Sequence, residues 1–156
     1  MQSKDQQSAQ ESYADLASND SKSFLIDVRT SKEWFDAGVA DFSSMPERLV
    51  LCEWRQRPLM DVNENFFKDL TKKLDFHNIE KLYFICAAGV RSQEALVYTK
   101  AKLKDLGFNI QCVNIFDGFN GNTTTVFGFG RISGWKASGL PYCQVQQTQM
   151  KIKSED

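Results

Sequence analysis

Seven consecutive residues, Cys86-Ala87-Ala88-Gly89-Val90-Arg91-Ser92, combine a nucleophile with the means of holding an anion. The apolar run Leu82-Tyr83-Phe84-Ile85 precedes them and a helical pattern follows. A cysteine at the end of a buried strand is held rigidly at the rim of a crevice. Small residues after it let the backbone curl tightly and turn its N–H groups inward. Gly89 admits a positive φ that a β-carbon resists. Inward amides form a nest for an anion, and the N-terminus of the next helix adds its positive end. Such a setting favours the thiolate, the form that attacks. Arg91 adds a permanent cation, placed to face an incoming anion or to hold the loop's own carbonyls. Ser92 is expected to cap the helix and to donate a hydrogen bond to sulfur.

The other reactive residue types lack such a frame. Cys52, Cys112 and Cys143 lie in or near apolar strands or the tail and read as inert packing residues. No C-x-x-C pair occurs, so neither a redox dithiol nor a zinc ribbon is indicated, and no metal is expected. His77, the single histidine, precedes a strand and so falls at the end away from the crevice. Asp27 and Arg29 close the first strand and could support the loop, although an ion pair of Arg29 with Glu33 is the expected local role. Lys100, Lys102 and Lys104 read as a solvated helix face.

Alternating strand and helix patterns must position these groups. Tyr13 and Leu16 suggest a short amphipathic helix, and Phe24-Leu25-Ile26 a buried strand. Ser31 is a candidate cap for a helix carrying Trp34 and Phe35, which Gly38 ends. Leu49-Val50-Leu51 is a second strand. Phe66, Phe67, Leu70 and Leu74 fall at helical spacing, predicting a helix over 63–74. Residues 81–85 read as the central strand, 92–106 as a helix stopped by Gly107, and 110–116 as a further strand. This alternation predicts an α/β fold, a mostly parallel sheet with helices on both faces. The working crevice then lies beyond the carboxyl ends of the strands, at Asp27 to Arg29, after Ile85 and after Phe116.

Composition bounds the rest. The chain has 156 residues, which fits one domain. Lys and Arg number 19 against 20 Asp and Glu, leaving no basic field for nucleic acid or anionic lipid. No secretory signal or long apolar segment is present, so a soluble cytoplasmic protein is expected. The polar ends, 1–9 and 144–156, read as flexible tails around a domain over 10–143.

Three stretches together resemble a known family. Cys86-x-x-Gly89-x-Arg91-Ser92 is similar to the active loop of single-domain rhodaneses. Leu25-Ile26-Asp27-Val28-Arg29-Thr30-x-x-Glu33-Trp34 looks like their amino-terminal signature, and Gly134-Trp135-Lys136-Ala137-Ser138-Gly139-Leu140-Pro141 like their closing stretch. The matches fall in the family's order and span Ala14 to Tyr142. The resemblance implies a rhodanese-like fold with a parallel five-stranded sheet. It also implies a sulfurtransferase that takes sulfane sulfur from a thiosulfate-like or mercaptopyruvate-like donor, carries it as a Cys86 persulfide, and passes it to cyanide, a thiol or a protein acceptor. No cofactor is implied.

Two departures bear on substrate. Ala87 and Ala88 stand where thiosulfate-preferring members often carry cationic or polar residues, which implies weak thiosulfate turnover. Residues 120–134 lengthen the connection to Trp135, as in an extended-loop bacterial subgroup. That insertion is expected to cover the Cys86 crevice as a lid. Phe119, Phe127, Phe129 and Trp135 either line a pocket there or anchor a long loop, and Arg131 is its one cation. Alternative readings are a non-catalytic, partner-binding module and a cysteine phosphatase or arsenate reductase. The latter need five residues between Cys and Arg, whereas Cys86 and Arg91 enclose four.

Overall fold

The computed structural model describes residues 5–126 and 129–145, with backbone alone for 122–126 and 129–132. In chain order the elements are β1 (Gln6–Gln7), α1 (Ala9–Leu16), β2 (Ser23–Asp27), α2 (Ser31–Ala37), β3 (Val39–Ala40), β4 (Leu49–Leu51), β5 (Arg55–Gln56), β6 (Asp61–Val62), α3 (Phe66–Lys73), β7 (Lys81–Ile85), α4 (Val90–Asp105), β8 (Gln111–Ile115), β9 (Asn122–Val126), β10 (Phe129–Ser133) and β11 (Tyr142–Cys143). Five strands form one sheet in the order β1-β8-β7-β2-β4, every neighbouring pair parallel. The expected five-stranded parallel α/β architecture is therefore present, with β7 at its centre.

Alternation along each strand divides the core in two. Ile26, Val50, Cys52, Leu82, Phe84 and Cys112 pack with Phe66 and Leu70 of α3 and with Ala95, Leu96 and Leu103 of α4. Leu25, Leu49, Leu51, Tyr83, Ile85 and Val113 pack with Ala9 and Leu16 of α1 and Trp34 of α2. Strands covered on both faces need apolar residues at consecutive positions, which is why they read as unbroken runs. Each Leu, Ile or Phe fully buried this way contributes about 1.5–3 kcal/mol.

Several boundaries differ from expectation. Thr30, not Ser31, caps α2: its hydroxyl accepts from the Glu33 N–H while the Glu33 carboxylate accepts from the Thr30 N–H, a capping box. Helix α3 starts at Phe66, three residues later than the periodicity predicts. Asn63 instead accepts from the Asn65 N–H and donates to the Glu53 carbonyl, and such local bonds compete with helix. Helix α4 begins at Val90, so Ser92 lies within its first turn and does not cap it.

The predicted tails are partly built into the domain. Gln6 and Gln7 pair with Asn114 and Ile115 as the fifth strand, and Ser8 caps α1 with Glu11 closing a capping box. Ala9 and Val145 are buried. Strand pairing uses backbone groups, so two glutamines can form an edge strand without an apolar signature. At the other end β11 pairs antiparallel with β3. Within the insertion, β9 and β10 pair antiparallel, with Asn122 opposite Ser133 and Val126 opposite Phe129. Among the described residues no helix is long and apolar enough to cross a membrane.

Candidate active site

The end of β7 delivers Cys86 to the start of α4, and the loop between them closes over the sulfur. Sγ accepts from the Gly89 N–H at 3.1 Å and from the Ser92 N–H at 3.3 Å. The Ser92 hydroxyl lies 3.2 Å away. Cys86 is only 1% exposed, so its sulfur sits beneath these donors. Two loop amides therefore turn inward on the sulfur, and one of them belongs to the first turn of a sixteen-residue helix.

The loop after β8 locks this arrangement. The Phe119 N–H donates to the Cys86 carbonyl at 2.8 Å and the Asn120 N–H to the Ala87 carbonyl at 3.2 Å. Gly89 has φ +94°, and a β-carbon there would run into the Phe116 backbone. Gly118 has φ +70°, and a β-carbon there would run into the Ala87 carbonyl. Two backbone segments thus touch where side chains cannot fit. Asp117, buried beside them, accepts from the Ala9 N–H at 2.9 Å, joining the α1 terminus to the same turn. Burial raises its carboxyl above the usual range, although backbone N–H bonds oppose that.

Charge is arranged differently from expectation. Arg91 does not stand open to an anion or hold loop carbonyls. Its two terminal nitrogens meet the Glu33 carboxylate at 2.7 and 2.9 Å. Burial pushes the Glu33 carboxyl up, but hydrogen bonds from Arg91 and Thr30 and the Arg91 charge outweigh it and bring it down to about 2. Arg29 consequently has no part in a pair with Glu33. It is fully buried and bonds Asp27 at 2.7 Å and the Gly38 carbonyl at 2.8 Å. Its guanidinium carbon lies 4.0 Å from the Phe119 ring centre. The Asp27–Arg29 pair thus packs against the residue that holds the Cys86 carbonyl, a supporting position.

The expected lid residues separate. Phe119 and Trp135 are both fully buried, anchoring the insertion rather than lining an open pocket. Trp135 donates to the Pro141 carbonyl at 2.7 Å and meets Tyr13 and Phe42 edge-on. Phe129 and Arg131 stand on β10, and Phe127 lies outside the described residues. Val90, on the loop itself, is 70% exposed.

Sequence reasoning missed Asn114. Its Oδ1 accepts from the Ser92 hydroxyl at 2.6 Å, and its Nδ2 donates to Gln6 Oε1 at 3.0 Å and to the Gly89 carbonyl at 3.2 Å. The available signal was a polar residue inside the run Cys112-Val113-Asn114-Ile115, since a buried amide needs partners. Of the remaining cysteines, Cys52 and Cys112 behave as packing residues, whereas Cys143, expected to pack as well, does not. Burial pushes the Cys52 and Cys112 thiols up to about 12, and Cys143 is exposed on β11. His77 sits at the amino end of β7 against Phe108, away from the loop.

No family model matches the chain. It is 32% identical over 130 residues to the uncharacterized protein RC0915 of Rickettsia conorii, covering 83% of this chain and 89% of the relative. A Rickettsia rickettsii homologue of the uncharacterized protein RP600 is 33% identical over the same shares, 83% and 89%. Among solved structures, Rv0390 from M. tuberculosis superposes with a TM-score of 0.69 at 27% identity, over 90% of this chain and 97% of that one. A rhodanese-like domain protein from Staphylococcus aureus shares the fold with a TM-score of 0.50 at 18% identity, over 90% and 98% of the two chains. The chain therefore belongs to one family with these rickettsial proteins, and its fold is a single rhodanese-like domain.

Proposed function

We propose that the protein is a sulfurtransferase that carries sulfane sulfur on Cys86. The observation that supports this most directly is the pair of backbone amides, Gly89 and Ser92, donating to Sγ at the head of α4. Preorganised donors of this kind stabilise an anionic sulfur without reorganising during reaction. In the first step the Cys86 thiolate attacks the outer sulfur of the donor. A new S–S bond forms and the donor's own bond to that sulfur breaks; sulfite leaves with the electron pair from thiosulfate, and from mercaptopyruvate the enolate of pyruvate leaves with it and takes up a proton. In the second step cyanide, a small thiol or a protein thiol attacks the outer sulfur of the persulfide, and Cys86 departs as thiolate. Covalent catalysis thereby splits one transfer into two displacements.

The four-residue span between Cys86 and Arg91 supports sulfur transfer over phosphate hydrolysis, because the loop amides already converge on a single sulfur atom. None of the four cysteines is in a disulfide, in keeping with a reducing compartment such as the cytoplasm.

Intact-mass measurement tests the reading. Purified protein incubated with thiosulfate or mercaptopyruvate is expected to gain the mass of one sulfur, and a reducing agent is expected to remove it. Cys86→Ser is expected to stay folded and gain nothing. A reducible sulfur gained by that variant would reassign the nucleophile.

A further inference from the structure

The Ser92 hydroxyl has one proton and two neighbours that could take it. Cys86 Sγ lies 3.2 Å away and Asn114 Oδ1 lies 2.6 Å away. The amide orientation of Asn114 is fixed by its other side, where two carbonyl oxygens, of Gln6 and of Gly89, both require donors. Oδ1 therefore faces Ser92 and can only accept. Asn114 is 3% exposed and Ser92 fully buried, so water cannot relieve the competition.

We propose that Asn114 is a positioning residue for the reaction at Cys86. By taking the Ser92 proton it turns an oxygen lone pair toward Sγ, which suits a protonated thiol donating to Ser92 and opposes an anionic sulfur. The proposal rests on Cys86 being the reacting group. The Gly89 and Ser92 amides pull toward the anion while Asn114, through Ser92, pulls against it. When Sγ becomes anionic, as the thiolate, Ser92 either keeps its bond to Asn114 or rotates to Sγ and leaves a buried Oδ1 unpaired. The anionic Sγ, as attacking and as departing thiolate, is thus held less tightly than the loop's donors alone would hold it.

Rates of Cys86 alkylation by iodoacetamide, followed across pH by peptide mapping of the full chain, test this. The assay needs no sulfur donor or acceptor, so its outcome is separate from whether the protein transfers sulfur. In Asn114→Ala the Ser92 hydroxyl is released to donate to Sγ, and the midpoint of the rate profile is expected to fall by about one pH unit, a tenfold change in the thiolate-to-thiol ratio. The charged groups of the surrounding elements, Asp27, Arg29, Glu33, Arg91, Glu94 and Asp117, are the same in every variant. A merely structural Asn114, acting through its bond to the Gly89 carbonyl, would loosen the Gly89 amide and move the midpoint upward. Asn114→Leu, closer in volume, keeps the test usable if the alanine variant unfolds. Ser92→Ala supplies the second arm, because the effect of Asn114→Ala is expected to vanish when the hydroxyl is already gone. An unchanged or raised midpoint in the folded single variants, or an equal shift in the Ser92→Ala background, overturns the proposal.

Discussion

Glu33 determines what Arg91 can offer a substrate. A guanidinium bound on both terminal nitrogens by a carboxylate presents an incoming anion with little net charge. Arg91→Ala is therefore expected to impair anionic and neutral sulfur donors to a similar degree, because its main loss is the tie between α2 and the loop. Glu33→Gln is expected to improve thiosulfate relative to a neutral persulfide donor, by several-fold in the ratio of kcat/KM values. An unchanged ratio would show that Arg91 stays shielded by other means. The same pair sets an acid limit. The Glu33 carboxyl is held at about 2 against an ordinary 4.5, so its contribution to stability is full above pH 4.5 and disappears as pH falls toward 2. Acid unfolding of Glu33→Gln, followed by circular dichroism, is expected to depend less on pH over that window. The cysteines could be ranked from sequence because only Cys86 precedes Gly, Arg and a helix start. The Arg91–Glu33 pair could not, since 58 residues separate its partners and either arginine of the two motifs could have met Glu33.

At the scale of elements, the loop holds its shape because the β8 connection lies against it. Gly118 is the closest point, with a positive φ and no room for a β-carbon beside the Ala87 carbonyl. Gly118→Ala is expected to cost about 2–3 kcal/mol, read from the urea midpoint, and to slow Cys86 alkylation or sulfur loading as the loop shifts. A stable, fully active variant would mean that the turn adapts freely. Helix boundaries were legible to within a few residues from caps and periodicity. The errors arose where a side chain bonded the backbone locally, as Asn63 does before α3. The first turn of α4 was misread for a related reason. Ser92 looks like a cap in sequence, yet its amide donates to Cys86 and its hydroxyl to Asn114.

At the scale of the molecule, the sheet's β1 edge is closed by a segment that carries no apolar pattern. Deleting the first eight residues removes the bonds from the Asn114 N–H to the Asp5 carbonyl and from the Phe116 N–H to the Gln7 carbonyl, together with the Ser8 cap of α1. At about 1 kcal/mol for each of these, the truncated domain is expected to lose about 3 kcal/mol, measured by chemical denaturation. Stability equal to the full chain would mean that β1 is dispensable. By itself the sequence determined the α/β class, the central strand, which cysteine heads the loop into a helix, and the glycine that bends that loop. These follow from local rules, because apolar runs, caps and turn residues act over a few neighbours. Only the tertiary structure decided which carboxylate meets Arg91, that Phe119 and Trp135 are core, that two glutamines complete the sheet, and that Asn114 holds the Ser92 hydroxyl. Those are pairings between residues distant along the chain. They are selected by the geometry of parallel strands and by the need of each buried polar group for a partner, and local sequence does not encode that choice.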